Sequence, residues 1–292
     1  MGDVAAYTRD MPGCLYIVST PIGNLEDITY RAVRILKEVD WIACEDTRTT
    51  GHLLHHYGIT TRTVSYHEHN ESQRAPEIFA RLQAGENVAI VSDAGTPLLS
   101  DPGFRIVRGA AHFGVKVEAI PGPSAMLAAL VCSGLPSDQI HFGGFLPPKQ
   151  GARMRILESF ASEQATLIFY EAPHRIVECL HDIATVLGGR DVCVARELTK
   201  MHEEVLRGTA TEIAAQLEAK GSIRGEFVVL IGKGEVPVST DLPIEDAISL
   251  LMEAGVARMD AIKTVAKERG LGKRDVYKLV SGQARSLADE EE

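Results

Sequence analysis

From Cys14 to Ile120 the apolar positions switch between two periods. Short apolar runs at Cys14–Ser19, Trp41–Cys44, Thr63–Tyr66, Val88–Ser92 and Val115–Ile120 predict strands. Helical periodicity fills the gaps at Ile28–Glu38, Thr49–Tyr57, Glu71–Ala84 and Phe104–Phe113. In the first helix Ile28, Ala32, Ile35, Leu36 and Val39 fall on one face, with Arg31, Arg34, Lys37 and Glu38 pointing outward. Strands alternating with helices of this length predict a largely parallel sheet covered on both faces.

Pro121-Gly122-Pro123-Ser124 interrupts the alternation and starts a small-residue helix at Ala125–Val131. A second alternating set follows, with strands at Ile140–Gly143, Thr166–Tyr170, Val192–Ala195, Glu204–Leu206 and Phe227–Ile231. Its helices are Ala152–Phe160, Arg175–Leu187 and Thr211–Ala219. Gly232–Asp241 has the composition of a linker. Beyond it Ile244–Glu253, Arg258–Arg269 and Lys273–Ser281 predict three short helices, separated by Gly255 and the Gly270-Leu271-Gly272 turn in a helix-turn-helix-like order. The expected organisation is two α/β domains of similar size, 13–121 and 122–234, and a helical module at 242–284. A cleft between the two α/β domains is the expected ligand site.

Composition narrows the class. The 292 residues are 45% hydrophobic, and no apolar run reaches membrane-spanning length. Met1–Pro12 carries Asp3, Arg9 and Asp10 without an apolar core, so no signal peptide is expected. Cys14, Cys44, Cys132, Cys179 and Cys193 are scattered, which fits reduced thiols in a cytoplasm and neither a zinc site nor a disulfide framework. A formal charge of −10 argues against bulk electrostatic binding of nucleic acid. The C-terminal helices reverse that sign locally through Arg258, Lys263, Lys267, Arg269, Lys273, Arg274, Lys278 and Arg285, before an acidic end at Asp289–Glu292.

The candidate chemistry lies at strand ends. Ser92–Gly103 follows an apolar run and concentrates prolines, glycines and hydroxyls where open α/β sheets bind ligands. Gly95 there lets a ligand approach the backbone, so a valine at this position is expected to block binding and spare the fold. Pro21-Ile22-Gly23-Asn24-Leu25 lacks dinucleotide-fingerprint spacing, and Asn24 is equally placed to cap a helix. Glu45-Asp46-Thr47-Arg48 either orients a substrate or caps a helix. His67 and His69 have metal-ligand spacing without an evident third ligand, so no metal is expected. Phe169–Arg175 and Arg196–Glu204 are charge-dense turns after apolar strands. Gly143–Lys149 with Arg153 and Arg155 reads either as a mobile basic loop facing an anion or as a connector.

Taken in order, Pro21–Leu25, Glu45–Arg48, Tyr66–Asn70, Ser92–Gly103, Pro121–Ala125, Gly144–Lys149, Phe169–Arg175 and Arg196–Glu203 resemble the 16S rRNA cytidine 2′-O-methyltransferases of the tetrapyrrole methylase superfamily. The resemblance spans Cys14 to Gly232, and the C-terminal helices look like that family's extra module. It implies an α/β fold of two consecutive tetrapyrrole-methylase-type domains, with S-adenosylmethionine in the cleft between them. It implies cofactor contacts at Ser92, Asp93, Ala94, Gly95, Thr96, Pro97 and Leu98, at Ser124 and Ala125, and at Tyr170, Ala195 and Arg196. The implied substrate is a ribose 2′-hydroxyl of a decoding-centre cytidine (1402 in the usual RNA numbering) of 16S rRNA within the 30S subunit, and the implied assembly is a cytoplasmic homodimer.

A ribose hydroxyl is a weak acid, so a base or a nearby cation must help it lose its proton. Lys200 with Glu203 and Glu204, and Arg48 with Glu45 and Asp46, are the candidates, with Asn24, His67 and Arg175 on the substrate side. Two alternatives remain open on the sequence: a tetrapyrrole methylase of the same fold, and a non-enzymatic RNA-binding protein that uses the C-terminal helices alone.

Overall fold

The structure is a computed structural model that describes residues 12–101, 103–234, 242–253 and 255–286, with side chains in the last helix described to residue 280. The N-terminal leader reading, Pro102, most of the linker, the side chain of Arg285 and the acidic C-terminal end lie outside the described residues. Contacts divide the chain into two compact units. One contains 1–159 and 165–233, and the other contains 160–164 and 234–292.

The larger unit carries two five-stranded sheets. In the first, β1 (Cys14–Val18), β2 (Trp41–Cys44), β3 (Arg62–Ser65), β4 (Val88–Val91) and β5 (Lys116–Ile120) are ordered β3-β2-β4-β1-β5. Every pairing in it is parallel. Its central strand shows why the apolar runs are unbroken. Along β4, Ala89 and Val91 join a core with α1 (Tyr30–Glu38) and α2 (Thr47–His56), while Val88 and Ile90 join a core with α3 (Glu71–Gln83) and α4 (Phe104–His112). Alternate residues thus enter opposite cores, as a strand buried on both faces requires. Local caps set the helix starts: Thr29 accepts from the Ala32 amide at 3.1 Å, and Asp46 accepts from the Arg48 amide at 2.8 Å.

The second sheet departs from the pattern of the first. It holds β6 (Ile140–Phe145), β7 (Thr166–Glu171), β8 (Asp191–Arg196), β9 (Glu204–Thr209) and β10 (Phe227–Ile231) in the order β6-β7-β10-β8-β9. Only β6 and β7 run parallel; the other pairs are antiparallel. Helix α5 (Ala125–Ser133) packs on one face through Ala129 and Leu130, against Ile168, Cys193, Ala195 and Leu230. Helices α6 (Gln150–Ser159), α7 (Ile176–Leu187) and α8 (Ala210–Glu218) pack against one another and present buried apolar residues.

Arg153 is not part of a basic loop. It lies on α6 with its side chain 1% exposed, and its Nε donates to Asp182 at 2.6 Å, on a carboxylate 5% exposed. Gln150 completes that carboxylate at 2.9 Å, and Glu178 lies 3.6 Å from the guanidinium. Of the segment read either as a basic loop or as a connector, Arg153 is thereby anchored inside the domain, whereas Lys149 and Arg155 stay exposed.

The smaller unit has its own core. Ala247, Ile248 and Leu251 of α9 (Ile244–Glu253) meet Ala261, Ile262, Val265 and Ala266 of α10 (Arg258–Glu268) and Val276 of α11 (Lys273–Ser286). Its other piece, 160–164, is fastened by the Gly234 amide to Glu163 O at 2.9 Å and by Gln164 Nε2 to Gly234 O at 3.0 Å. Among the described residues no helix is long and apolar enough to cross a membrane.

Removing one member of a buried ion pair strands the other charge, at a cost of about 3–5 kcal/mol, whereas replacing both with apolar groups is often neutral. Arg153→Met is therefore expected to lower the urea midpoint strongly, and Arg153→Met combined with Asp182→Leu to recover most of that loss.

Candidate active site

The loops leaving β1, β4 and β5 are laced together. Thr20 and Gly95 exchange backbone hydrogen bonds, N to O at 2.9 and 3.0 Å. The Thr20 hydroxyl also donates to Ser92 O at 3.2 Å. Thr96 donates to Pro123 O at 3.2 Å; its one proton is then spent, so the Ser19 hydroxyl is the donor in their 2.9 Å contact. Gly95 adopts φ +80, and a Cβ there would stand 3.3 Å from Ile22 Cγ2. Gly95 therefore builds this lacing as well as the ligand surface, and the expectation that a valine would spare the fold is corrected.

Above the lacing lies a cavity of about 400 Å³, within the range of small-molecule sites. Asp93, Ala94, Gly95 and Thr96 form its floor, with Leu99, Ser100 and Asp101 from the same loop. Ser124 and Ala125 enter from the start of α5. The second sheet supplies Phe145, Tyr170, Glu171, Ala195, Phe227 and Val228. Ile22 and Leu198 also line it and share one apolar cluster, so the β1 loop and the turn after β8 close the two sheets on each other. Phe145 reaches the wall through a bulge between Phe142 and Phe145. Gly143 makes the bulge possible, since a Cβ there would lie 2.3 Å from the Phe169 ring, and Gly144 takes φ +63.

Carboxylates dominate the charge at this edge. Asp101 is pushed up to about 6 by burial and by the charges of Glu45 and Asp93, against a hydrogen bond from Ser92. Glu45 is also raised, mainly by burial and then by Asp93. Asp93 accepts from the Asp46 amide at 3.1 Å. Asp46 itself is held down at about 2 by the hydrogen bonds it accepts from Arg48, whose Nη2 lies 2.8 Å away.

Among the residues proposed from sequence for the cofactor, Asp93, Ala94, Gly95, Thr96, Ser124, Ala125, Tyr170 and Ala195 line the cavity. Four stand behind it. Ser92 Oγ lies 3.2 Å from Ala94 O and also faces Asp101. Pro97 is buried in the same loop, and Leu98 packs on Gly103. Arg196 turns to Arg224 O at 2.7 Å and to Glu204 at 3.6 Å. Among the described residues, Ser124 Oγ is buried without a hydrogen-bond partner.

None of the residues proposed for catalysis lines the cavity. Lys200 stands near Glu203, whose amide donates to Lys200 O at 3.1 Å, but its ammonium pairs with Glu197 at 2.8 Å and Glu226 at 3.0 Å. Glu203 accepts from the Thr199 amide at 2.6 Å, and Glu204 pairs with Lys220. Arg175 is clamped to Glu171 at 2.8 Å and to Leu146 O at 3.2 Å. Asn24 caps the short turn Leu25–Asp27. His67 Nε2 sits 3.2 Å from the Asn70 amide nitrogen. Sequence reasoning missed Phe145, Leu198, Gly225 and Phe227 as wall residues. The Gly143-Gly144 pair at a strand end was the available signal for the bulge that aims Phe145.

Comparison with known proteins agrees with this geometry. Residues 14–214 match the family model Tetrapyrrole (Corrin/Porphyrin) Methylases. The chain is 45% identical over 278 residues to "Ribosomal RNA small subunit methyltransferase I" of Halalkalibacterium halodurans, covering 93% of this chain and 96% of that one. To the protein of the same description from Escherichia coli O157:H7 it is 45% identical over 268 residues, covering 91% and 94%. Its fold resembles the crystal structure of uroporphyrin-III C-methyltransferase from Thermus thermophilus complexed with S-adenosylhomocysteine, with a TM-score of 0.51, 23% identity, and 75% and 97% of the two chains covered. The chain belongs to the ribosomal RNA small subunit methyltransferase I family, within the tetrapyrrole methylases.

Proposed function

We propose that the protein transfers the methyl group of S-adenosylmethionine to the ribose 2′-hydroxyl of a cytidine in 16S rRNA, acting on the 30S subunit in the cytoplasm as a homodimer. The observation that carries this reading is the laced cavity bordered by the acidic edge, in a chain whose curated relatives bear an rRNA methyltransferase description.

The cavity fits the cofactor. Its apolar walls at Ile22, Phe145, Tyr170, Leu198 and Phe227 suit an adenosine, and Ser124 Oγ is a buried polar atom in want of a partner. Asp93, Ala94, Gly95, Thr96, Ser124, Ala125, Tyr170 and Ala195 would hold it, with Ser92, Pro97, Leu98 and Arg196 bracing those walls from behind. When bound, S-adenosylmethionine supplies a methyl group activated on a sulfonium. The protein's share is largely positioning, for which effective molarities of about 10⁵–10⁸ M are attainable.

On the substrate side we assign Glu45, Asp46, Arg48, Asn24 and His67. Arg48 is well exposed and fixed in direction by Asp46, as suits a phosphate contact. Lys200, Glu203 and Arg175 keep the turns of the second sheet in place. Lys267, Arg274 and Lys278 are exposed on α10 and α11 and make these helices the candidate RNA contact. The homodimer reading is supported by Leu127 and Val131, which stand exposed on the apolar helix α5.

The direct test is methyl incorporation into 30S subunits from a strain lacking the modification, mapped to the nucleotide. Failure on 30S with transfer to a porphyrinoid would overturn the reading. Ser124→Ala is expected to weaken S-adenosylmethionine binding about fivefold, equal to about 1 kcal/mol for one hydrogen bond, with an unchanged melting temperature. Gly95→Val should lower both affinity and stability, since a β-branched residue is forced into φ +80. Reversing charge at Lys267, Arg274 and Lys278 together should raise KM for 30S about tenfold and flatten its salt dependence, with cofactor affinity unchanged by calorimetry.

A further inference from the structure

The proton of the ribose hydroxyl has no destination among the cationic groups near the cavity. Lys200 is committed to Glu197 and Glu226, Arg175 to Glu171, and Arg48 to Asp46. The loop after β4 offers another group. Leu98 and Ser100 both hold positive φ, 73 and 69, although neither is glycine. Backbone strain of that kind persists only where the surroundings impose it, and it gathers at active sites. Here the surroundings are visible: Leu98 packs on Gly103, and Ser100 Oγ lies 3.0 Å from where a Cβ of Gly144 would stand. The strained turn delivers the next residue, Asp101, to the cavity wall.

We propose that the Asp101 carboxylate is the catalytic base that accepts the substrate's 2′-hydroxyl proton, an assignment that rests on the methyltransferase reading above. As the ribose oxygen forms its bond to the methyl carbon, its O–H bond breaks and the proton passes to Asp101. The carbon–sulfur electron pair stays on sulfur and cancels its positive charge. Asp101 returns the proton to solvent after product leaves.

The electrostatic surroundings suit that task. Facing Asp101 are Glu45 from the turn after β2, Asp93 and the Ser92 hydroxyl from its own loop, and the Tyr170 hydroxyl from β7. Among the described residues no Lys, Arg or His is ion-paired with it. Burial and the two neighbouring carboxylates push its proton affinity up to about pH 6. That lies close enough to neutrality to serve as both a competent acceptor and a mostly ionised one.

The test uses full-length protein in single-turnover methyl transfer to unmodified 30S subunits, with S-adenosylmethionine affinity measured separately by calorimetry. Asp101→Asn should lose about 10²–10⁴-fold in rate while its affinity for S-adenosylmethionine stays within about threefold of wild type. The wild-type rate should fall with unit slope below about pH 6. Asp101→Glu should restore part of the rate, and Glu45→Gln should keep an acid limb but move it to lower pH, because the Glu45 charge helps raise Asp101. A rate for Asp101→Asn within tenfold of wild type, parallel loss of rate and cofactor affinity, or an acid limb that vanishes in Glu45→Gln would each overturn the assignment. Should Asp101→Asn fail to fold, absence of the wild-type acid limb near pH 6 would overturn it equally. A wild-type protein inactive on 30S sinks the functional reading, whereas an active wild type with an active Asp101→Asn sinks only the base.

Discussion

The reciprocal backbone pair between Thr20 and Gly95 is the constraint on which the site depends. Parallel strands end with their loops side by side, but nothing in sheet geometry makes those loops adhere. Here two amide–carbonyl bonds, two threonine hydroxyls and a serine convert loose connections into one floor. Buried polar groups left unpaired cost about 1–3 kcal/mol each. The lacing is thus cooperative in effect, since opening one contact exposes the partners of the next. A ligand resting on this floor meets a surface that is already set.

The second sheet solves a different problem. Its strands are mainly antiparallel, so the turns after β7 and β8 are shaped by side chains more than by a regular crossover. Charged residues do this in pairs. Arg175 with Glu171 holds the turn after β7, and Lys200 with Glu197 and Glu226 holds the turn after β8. Arg153 with Asp182 ties α6 to α7 behind them. Several residues that look functional in sequence for their charge are therefore structural, and they set the wall against which the first sheet's loops work.

How far the sequence was legible follows from the range of each signal. Strand and helix periodicity is local, and the strand at Val88 and the helices at Glu71 and Phe104 were all legible in it. The cofactor loop was legible because its glycine and prolines mark a special backbone path. Strand direction in the second sheet was not, since apolar alternation does not encode whether a neighbour runs parallel. Arg153 illustrates the same limit: its burial depends on Asp182, a partner on another helix. Asp101 lay inside the singled-out loop, yet its raised proton affinity arises from burial in the folded cavity and then from Glu45, which approaches only when β2 and β4 pair.

The composition of the smaller unit bears on how the chain is made. Residues 160–164 belong with the C-terminal helices, and the hydrogen bonds that fasten them come from Gly234. On a ribosome the early piece emerges a whole sheet before its partner. At about 5–20 residues per second the wait is roughly 4–14 s. The strands β7, β8, β9 and β10 lie in that interval, so the second sheet can assemble before the terminal unit is complete. In biosynthetic order, the smaller unit becomes whole only after the strands of the second sheet have been made.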